Sequence, residues 1–308
     1  MRPVVDHQGQ VWFGEMGRNA LAVFNPRTQT FTQTTPPQGA NGIMGIEVAA
    51  DDTIWFAEQN ANYIGHYIPT SGQFQTYTLP TITTPSASDP GKTLNLPSAP
   101  NDIAIDTHGN VWFTETNADS IGMLDPHTGQ FKHYQILAKK TVQTADPYSI
   151  TIDPQGIIWF SEMSANQLGR LDPATGQILF YPYTGPSDPL MELASDSHGT
   201  IWSTTFNDST LMRFDPTTKT FTRYLAPGAV DSSRAMTSGM YGLTTEDGAI
   251  WLTVSAANTI ARFDTTTRRF TYYQVPTSGS LPLGVAISPD HSVWFTETAS
   301  NKLGVLKP

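Results

Sequence analysis

Residues 111–115 read Val-Trp-Phe-Thr-Glu, and a version of this pattern surrounds every tryptophan of the chain. The seven tryptophans follow one another at spacings of 43, 57, 47, 43, 49 and 43 residues. A common spacing of 43 residues with insertions of 14, 4 and 6 residues is typical of one structural unit that is repeated with loops of different length. The tryptophans that mark the copies are Trp12, Trp55, Trp112, Trp159, Trp202, Trp251 and Trp294.

Each copy contains four short runs that look like strands. In residues 102–134, β-branched and aromatic residues alternate with polar ones, and the runs are separated by turns rich in Gly, Pro and Asp. This pattern predicts short antiparallel strands. Four strands per unit and seven units predict an all-β fold, a seven-bladed β-propeller, with residues 1–308 as a single domain. A solenoid is also built from repeated units, but these units rarely contain a four-stranded meander.

The first and last copies together are shorter than one full unit. Only 11 residues precede Trp12 and 14 follow Trp294, which is less than the common spacing of 43. We therefore expect one blade to lack a strand, its outer one. We interpret the shortfall as a chain that is trimmed at its start, with a naturally open ring as the alternative.

Composition excludes several classes of function. The net charge of −10 argues against nucleic acid or an anionic membrane as the main partner. The chain has no cysteine, so disulfides, thiolate metal sites and cysteine nucleophiles are excluded. No apolar run approaches the roughly 18 residues that span a membrane. We expect a monomer in an extracellular or periplasmic location, although no signal peptide is visible in these residues.

The long spacings between tryptophans locate the insertions. All of them enlarge loops that lead into an innermost strand, so they lie on one face of the propeller around the central channel. Enlarged loops on one face of a rigid scaffold favour a functional site there, with neutral variation of the surface as the alternative. The enlarged loops are residues 81–97, 137–146 and 228–239.

A resemblance to a known family rests on three stretches of the sequence. Residues 111–122 join Val-Trp-Phe-Thr-Glu to Ser-Ile-Gly, residues 293–304 join it to Asn-Lys-Leu-Gly, and residues 282–285 read Pro-Leu-Gly-Val. These motifs resemble the streptogramin (virginiamycin B) lyase family, and the likeness covers nearly the whole chain. The resemblance implies a seven-bladed propeller that opens a cyclic depsipeptide antibiotic by elimination at an ester bond, without water.

The same resemblance implies Mg²⁺, one His on one loop and a Glu-x-His pair on the next. Abstraction of a proton next to a carbonyl needs a positioned base and a group that holds the enolate. These family residues fall on Tyr241, Leu281 and Leu283, and none of the three matches. No catalytic residue is therefore carried over, and Mg or Ca remains possible only by resemblance. Calcium-dependent lactonase propellers are a related possibility, although the sequence does not place their acidic and amide ligands.

A ring of residues around the channel mouth is the main candidate for a binding site. These residues stand ten or eleven places before a tryptophan, and two acids, Asp102 and Glu192, flank them. Such a mouth suits an apolar or aromatic ligand with a few polar contacts, and the alternative is that the side chains plug the channel. Tyr148 or Tyr241 could act as a catalytic acid or base if its pKa were depressed. The ring consists of Met44, Asn101, Tyr148, Met191, Tyr241 and Leu283.

The glutamate that ends the tryptophan motif recurs in five copies, as Glu15, Glu58, Glu115, Glu162 and Glu297, while Thr205 and Val254 occupy the place in two others. Recurrence favours a structural role, such as binding of backbone donors, over a divalent cation site. The seven histidines are spread around the ring and do not have the spacing of a metal site. The tryptophans are expected to pack between blades.

Two functions from different classes remain open. One is a lyase or hydrolase that acts on an ester or lactone at the channel mouth without the family's catalytic residues. The other is a propeller without catalytic activity that binds a small molecule, glycan or peptide at the face with the long loops.

Overall fold

The computed structural model describes residues 2–38, 42–85, 92–136, 145–183, 189–205, 209–226 and 239–308. These residues form a seven-bladed β-propeller in which each blade is an antiparallel meander that runs outward from the central channel. The innermost strands neighbour one another in sequence order, and the first lies beside the last, so the ring is closed. No helix of the described residues is long and apolar enough to cross a membrane.

Blade 1 consists of β1 Val4–Val5, β2 Val11–Glu15, β3 Ala20–Asn25 and β4 Thr30–Thr34, and blade 2 consists of β5 Ile43–Val48, β6 Ile54–Glu58, β7 Tyr63–Ile68 and β8 Gln73–Thr78. A separate hairpin of β9 Thr81–Pro85 and β10 Thr93–Pro97 follows blade 2. Blade 3 consists of β11 Pro100–Ile105, β12 Val111–Glu115, β13 Ser120–Asp125 and β14 Gln130–Gln135. Blades 4 and 5 contain β15 Pro147–Ile152, β16 Ile158–Glu162, β17 Gln167–Leu171 and β18 Ile178–Pro182, then β19 Leu190–Ser195, β20 Ile201–Thr205, β21 Thr210–Asp215 and β22 Thr220–Leu225. Blades 6 and 7 contain β23 Met240–Glu246, β24 Ala249–Val254, β25 Thr259–Asp264 and β26 Arg269–Gln274, then β27 Pro282–Ile287, β28 Val293–Glu297 and β29 Lys302–Leu306. Single turns of 3-10 helix at Met16–Arg18 and Thr298–Ser300 follow β2 and β28.

In the part of the chain that the structure describes, blade 7 is the blade with an incomplete sheet. Its sheet has three strands, β27 to β29, whereas the sheets of the other six blades have four. The sequence prediction of a propeller with one incomplete blade is confirmed.

The tryptophan of each motif fills the space between two blades. Trp55 packs against Ile103, Val111 and Phe113 of the next blade, and Trp294 lies 5.6 Å from the ring of Phe24, which closes the circle. All seven tryptophans are buried. Burial of 150–250 Å² per indole contributes roughly 4–6 kcal/mol as an upper estimate, so these residues hold neighbouring blades together.

The small residue in the third strand is explained by the phenylalanine of the motif. The Phe113 ring lies over Gly122, where an added Cβ would be 2.1 Å from a ring carbon. Phe160 covers Gly169 in the same way. The aromatic ring therefore replaces a side chain on the neighbouring strand, which is why Ser-Ile-Gly and Gln-Leu-Gly follow the tryptophan motif.

Candidate functional site

A repeated β-bulge aims side chains at the channel. In blades 2 to 7 the ladder between the first and second strands shifts register, as it does between Pro100 and Ile103 and between Pro147 and Ile150. A bulge of this kind leaves residues outside the ladder and redirects them. The displaced residues include the ring that the sequence places at the channel mouth.

The fourth residue of the tryptophan motif restores the hydrogen bonds that the bulge removes. The Thr114 hydroxyl accepts a bond from the Asp102 N–H at 3.0 Å and donates one to the Tyr148 carbonyl of the next blade at 3.0 Å. Ser161 and Thr253 each make the same two kinds of bond, at 2.7 to 3.1 Å. One hydroxyl therefore joins two blades and fixes the position of the mouth residues.

The mouth encloses a cavity of only about 30 Å³. This volume accommodates about one water molecule. Met191 is buried but does not line the cavity, and its carbonyl accepts a hydrogen bond from the Ser161 hydroxyl. The structure thus brings seven of the eight predicted residues together and adds Arg2, so the lining consists of Arg2, Met44, Asn101, Asp102, Tyr148, Glu192, Tyr241 and Leu283.

Two phenols meet across the mouth. The hydroxyl groups of Tyr148 and Tyr241 are hydrogen bonded to each other. Burial raises the pKa of both phenols, and the charge of Glu192 raises it further. Both side chains therefore stay protonated at neutral pH and can donate hydrogen bonds, whereas the base role considered from the sequence needs a depressed pKa.

Near the phenols, Arg2 lies among three carboxylates, those of Glu47, Asp102 and Glu192. The Arg2 guanidinium is 3.1 Å from Glu47 and 3.7 Å from Asp102. The Asp102 carboxylate also accepts hydrogen bonds from the Ser149 hydroxyl at 2.8 Å and from the Ile150 N–H at 3.0 Å, so the next blade holds it in place. Sequence reasoning missed Arg2, although it stands ten residues before Trp12, just as Asp102 and Glu192 stand ten residues before Trp112 and Trp202.

Glu192 is a carboxyl group of the mouth whose pKa is raised above its ordinary value. Its residue is nine-tenths buried. Burial and the neighbouring Asp102 raise the pKa of Glu192 to about 7, and Arg2 opposes this shift. At neutral pH this carboxyl can therefore release or accept a proton.

A larger cavity of about 440 Å³ occupies the channel on the opposite side of Arg2. It is lined by the later residues of the inner strands, among them Thr151, Thr244 and Ser195, and by His7 from a turn on the opposite face. Arg2 lines both cavities, so it separates the closed mouth from the open part of the channel.

The enlarged loops are only partly described. The first forms the hairpin of β9 and β10 beside the mouth end of the inner strands. Of the other two, residues 137–144 and 228–238 lie outside the described residues, as do residues 86–91 of the first.

The repeated glutamates end the second strand of their blades and bind neighbouring strands. Glu115 accepts hydrogen bonds from Ser120 at 2.6 Å and His133 at 2.7 Å, and Glu162 accepts one from Gln167 at 2.7 Å. Burial raises the pKa of Glu162 to about 7. These contacts agree with the structural role that the recurrence indicates.

The mouth does not fit the divalent cation that the family resemblance implies. Two positions carried over from the family hold the hydrocarbon side chains Leu281 and Leu283, and Asp102 is already engaged by Arg2 and Ser149. Within the described ranges, no group of three His, Cys, Asp or Glu residues is placed to hold a metal ion. No step of a mechanism is therefore assigned to a metal.

The histidines lie away from the mouth, as their positions in the sequence indicate. His7 contacts Asp52 and His291 contacts Glu246, each at 2.7 Å and each from one blade to its neighbour. His66 stacks on Trp55 with ring centroids 4.0 Å apart. His108, His127 and His198 are exposed in turns.

A second repeated contact escaped sequence reasoning. The Asp153 carboxylate accepts a hydrogen bond from the Trp159 indole N–H at 2.8 Å. It also accepts hydrogen bonds from two backbone N–H groups of the turn between β15 and β16. The visible signal is an aspartate six residues before a tryptophan. The same indole contact is made by Asp6, Asp106 and Asp196 at 2.8 to 2.9 Å.

Comparison with protein families gives one match that covers most of the chain. The family model described as the virginiamycin B lyase family matches residues 89–308. No curated protein sequence matches the chain.

Solved structures share the architecture along the whole chain. A streptogramin B lyase is 26% identical, with a TM-score of 0.83, and the match covers 99% of this chain and 92% of that one. A catalytically inactive histidine-to-alanine variant of virginiamycin B lyase from Staphylococcus aureus, with quinupristin, is 24% identical, with a TM-score of 0.82, and the match covers 99% and 94%. An extracellular domain of a hybrid two-component system from B. thetaiotaomicron is 18% identical, with a TM-score of 0.71, over 99% of this chain and 39% of that one.

Proposed function

The chain belongs to the virginiamycin B lyase family, and from that premise we propose that it binds an amphipathic cyclic peptide or depsipeptide at the channel mouth without opening the ring. The observation that carries this proposal is the identity of three residues. The positions that resemblance assigns to the family's proton-transfer and metal-binding groups hold Tyr241, Leu281 and Leu283. Hydrocarbon side chains neither bind a cation nor exchange a proton, and Tyr241 remains protonated.

The shape of the mouth supports a ligand that rests on it. A cavity of about 30 Å³ admits no part of a peptide, so the contact surface is the solvent-facing side of the residues that line the mouth. Met44 and Leu283 supply apolar contact, while Asn101 and the phenols supply polar groups. Few polar groups in a mainly apolar surface suit a ligand of mixed polarity.

Quinupristin is the probe for this proposal, because a relative's structure contains it. Isothermal titration calorimetry should give saturable binding to the whole chain, and chromatography after incubation should return intact quinupristin. Replacement of Leu283 by Asp should weaken binding by roughly tenfold or more, because it places a charge in the apolar part of the surface. Leu306→Asp, far from the mouth, is the matched control. Absence of binding, or equal binding by both variants, would contradict the proposal.

A catalytic alternative rests on Glu192. Its pKa of about 7 suits a general base, and Arg2 and the two phenols could stabilise negative charge on a carbonyl oxygen. This candidate is an ester or lactone lyase or hydrolase. It predicts turnover of aryl esters or lactones that disappears in Glu192→Gln and falls below pH 7 in the parent chain. Slow turnover that is equal in both proteins would exclude it.

For the cellular setting we propose a monomer outside the cytoplasm, with no nucleic acid or membrane as partner. The acidic net charge and the extracellular domain that shares this fold support the proposal. Gel filtration with light scattering and fractionation of the producing cells test it.

A further inference from the structure

Glu192 is a buried carboxyl group without a hydrogen-bond donor beside it. The residue is 9% exposed, and it lines the closed cavity of the mouth together with Tyr148 and Tyr241. Among the described residues, Asp102 and Arg2 act on this carboxyl through their charges, and no group donates a hydrogen bond to it. A carboxylate that is removed from water is costly unless it is hydrogen bonded or paired. The group therefore needs either a proton or a cation next to it.

The centre of the channel carries more negative than positive charge. Among the described residues that line the cavity, Arg2 is the one with a positive charge, and it lies 3.1 Å from Glu47 and 3.7 Å from Asp102. The charges of Glu192 and Asp102 also raise the pKa of both phenols of the mouth. One guanidinium thus faces three carboxylates, and the surplus of negative charge attracts a further cation.

The cavity limits the size of that cation. Its volume of about 30 Å³ accommodates about one water molecule. The Glu192 side chain and the two phenols line it, and Arg2 separates it from the larger cavity of the channel. An ammonium ion is close to a water molecule in size, whereas ammonium ions with several methyl groups are too large to enter.

The acceptors of the cavity suit ammonium better than a metal ion. The Asn101 amide oxygen already accepts a hydrogen bond at 3.2 Å, and Asp102 is engaged by Arg2 and by a hydroxyl of the next blade. The Glu192 carboxylate and the two phenol oxygens remain. Ammonium has four N–H donors that each need one acceptor, whereas calcium takes roughly six to eight oxygen ligands.

We propose that the mouth cavity binds one ammonium ion, which pairs with Glu192 and donates hydrogen bonds to its carboxylate and to the phenol oxygens of Tyr148 and Tyr241. The ion supplies positive charge where Arg2 does not, because the guanidinium is hydrogen bonded to Glu47. The site lies beneath the surface on which a cyclic peptide would rest. Binding of ammonium does not depend on binding of that peptide, and either can fail without the other.

The test is the melting temperature of the whole chain in ammonium chloride, compared with tetramethylammonium chloride at the same ionic strength. At pH 8, Glu192, with its pKa of about 7, is mostly ionised, and ammonium is still mostly protonated. About 100 mM ammonium should raise the melting temperature by about 2 °C or more relative to tetramethylammonium, because a ligand of the folded state stabilises it by mass action. No difference between the two salts would overturn the proposal.

Two matched variants locate the ion. Glu192→Gln keeps the size of the side chain and removes its charge, so it should abolish the difference between the two salts. Glu162→Gln is the control, because Glu162 is also buried and also has a pKa of about 7 but does not line the cavity. This variant should keep the full difference. An equal difference in the parent and in Glu192→Gln would mean that ammonium acts elsewhere, which would overturn the proposal.

Potassium chloride separates ammonium from a metal ion of similar size and equal charge. Potassium donates no hydrogen bonds, so its effect on the melting temperature should be clearly smaller than that of ammonium. An equal effect of the two salts would overturn the assignment of ammonium. A second measurement does not rely on stability: isotope-labelled ammonium should give a protein-bound NMR signal with the parent and with Glu162→Gln, and no such signal with Glu192→Gln.

Discussion

Replacement of the buried Glu162 by glutamine is expected to stabilise the protein at alkaline pH and to have little effect in acid. The side chain is fully buried, one oxygen accepts a hydrogen bond from Gln167, and the other has no hydrogen-bond partner among the described residues. Burial raises the pKa from 4.5 to about 7. The folded state therefore holds the proton more tightly than the unfolded state, and the parent loses stability as pH rises from about 4.5 through about 7.

The size of the effect follows from the two pKa values. Between pH 5 and pH 8 the parent should lose about 2.5 kcal/mol of unfolding free energy relative to Glu162→Gln. Urea unfolding at both pH values, followed by tryptophan fluorescence, measures the difference. Glu15→Gln is the control, because the same motif position is partly exposed there, and its effect should stay within about 0.5 kcal/mol. Parallel pH profiles of the parent and Glu162→Gln would refute the reasoning.

Three further substitutions test the repeated contacts by urea unfolding. Thr253→Val should cost about 1–3 kcal/mol, because it leaves a bulged N–H and a carbonyl of the next blade unpaired, while Thr253→Ser should be nearly neutral. Asp153→Ala should cost about 2–4 kcal/mol, since the buried Trp159 indole N–H and the turn lose their acceptor; no loss would mean that the contact is dispensable. Gly169→Ala should cost about 2 kcal/mol or more, because its Cβ would overlap the Phe160 ring, and a neutral result would show that the ring can move.

The sequence predicts the fold because the repeat shows both how many blades there are and which strands each blade contains. The spacing of the tryptophans gives the number of blades, and the alternation within residues 102–134 gives the four strands. The incomplete blade 7 also follows from counting. Local pattern suffices here because each blade contacts mainly its neighbours, so no long-range information is needed to order the strands.

The candidate site is less accessible to sequence reasoning. All eight residues that line the mouth stand ten or eleven residues before a tryptophan, and the bulge occurs at the same place in blades 2 to 7. Met191 has the same spacing and is buried, but it does not line the cavity. Sequence reasoning missed Arg2, which stands ten residues before Trp12. The closure of the mouth by Tyr148 and Tyr241 depends on side-chain contacts across the ring, which a repeat unit does not encode.

The most direct test of the account is the fate of quinupristin after incubation with the protein and Mg²⁺, followed by reversed-phase chromatography with mass detection. We predict that quinupristin is recovered with unchanged retention and mass, because Tyr241, Leu281 and Leu283 provide neither the base nor the metal ligands that elimination requires. A product with changed retention and unchanged mass would be the ring opened by elimination. A product heavier by one water would indicate hydrolysis, and either product would contradict the account.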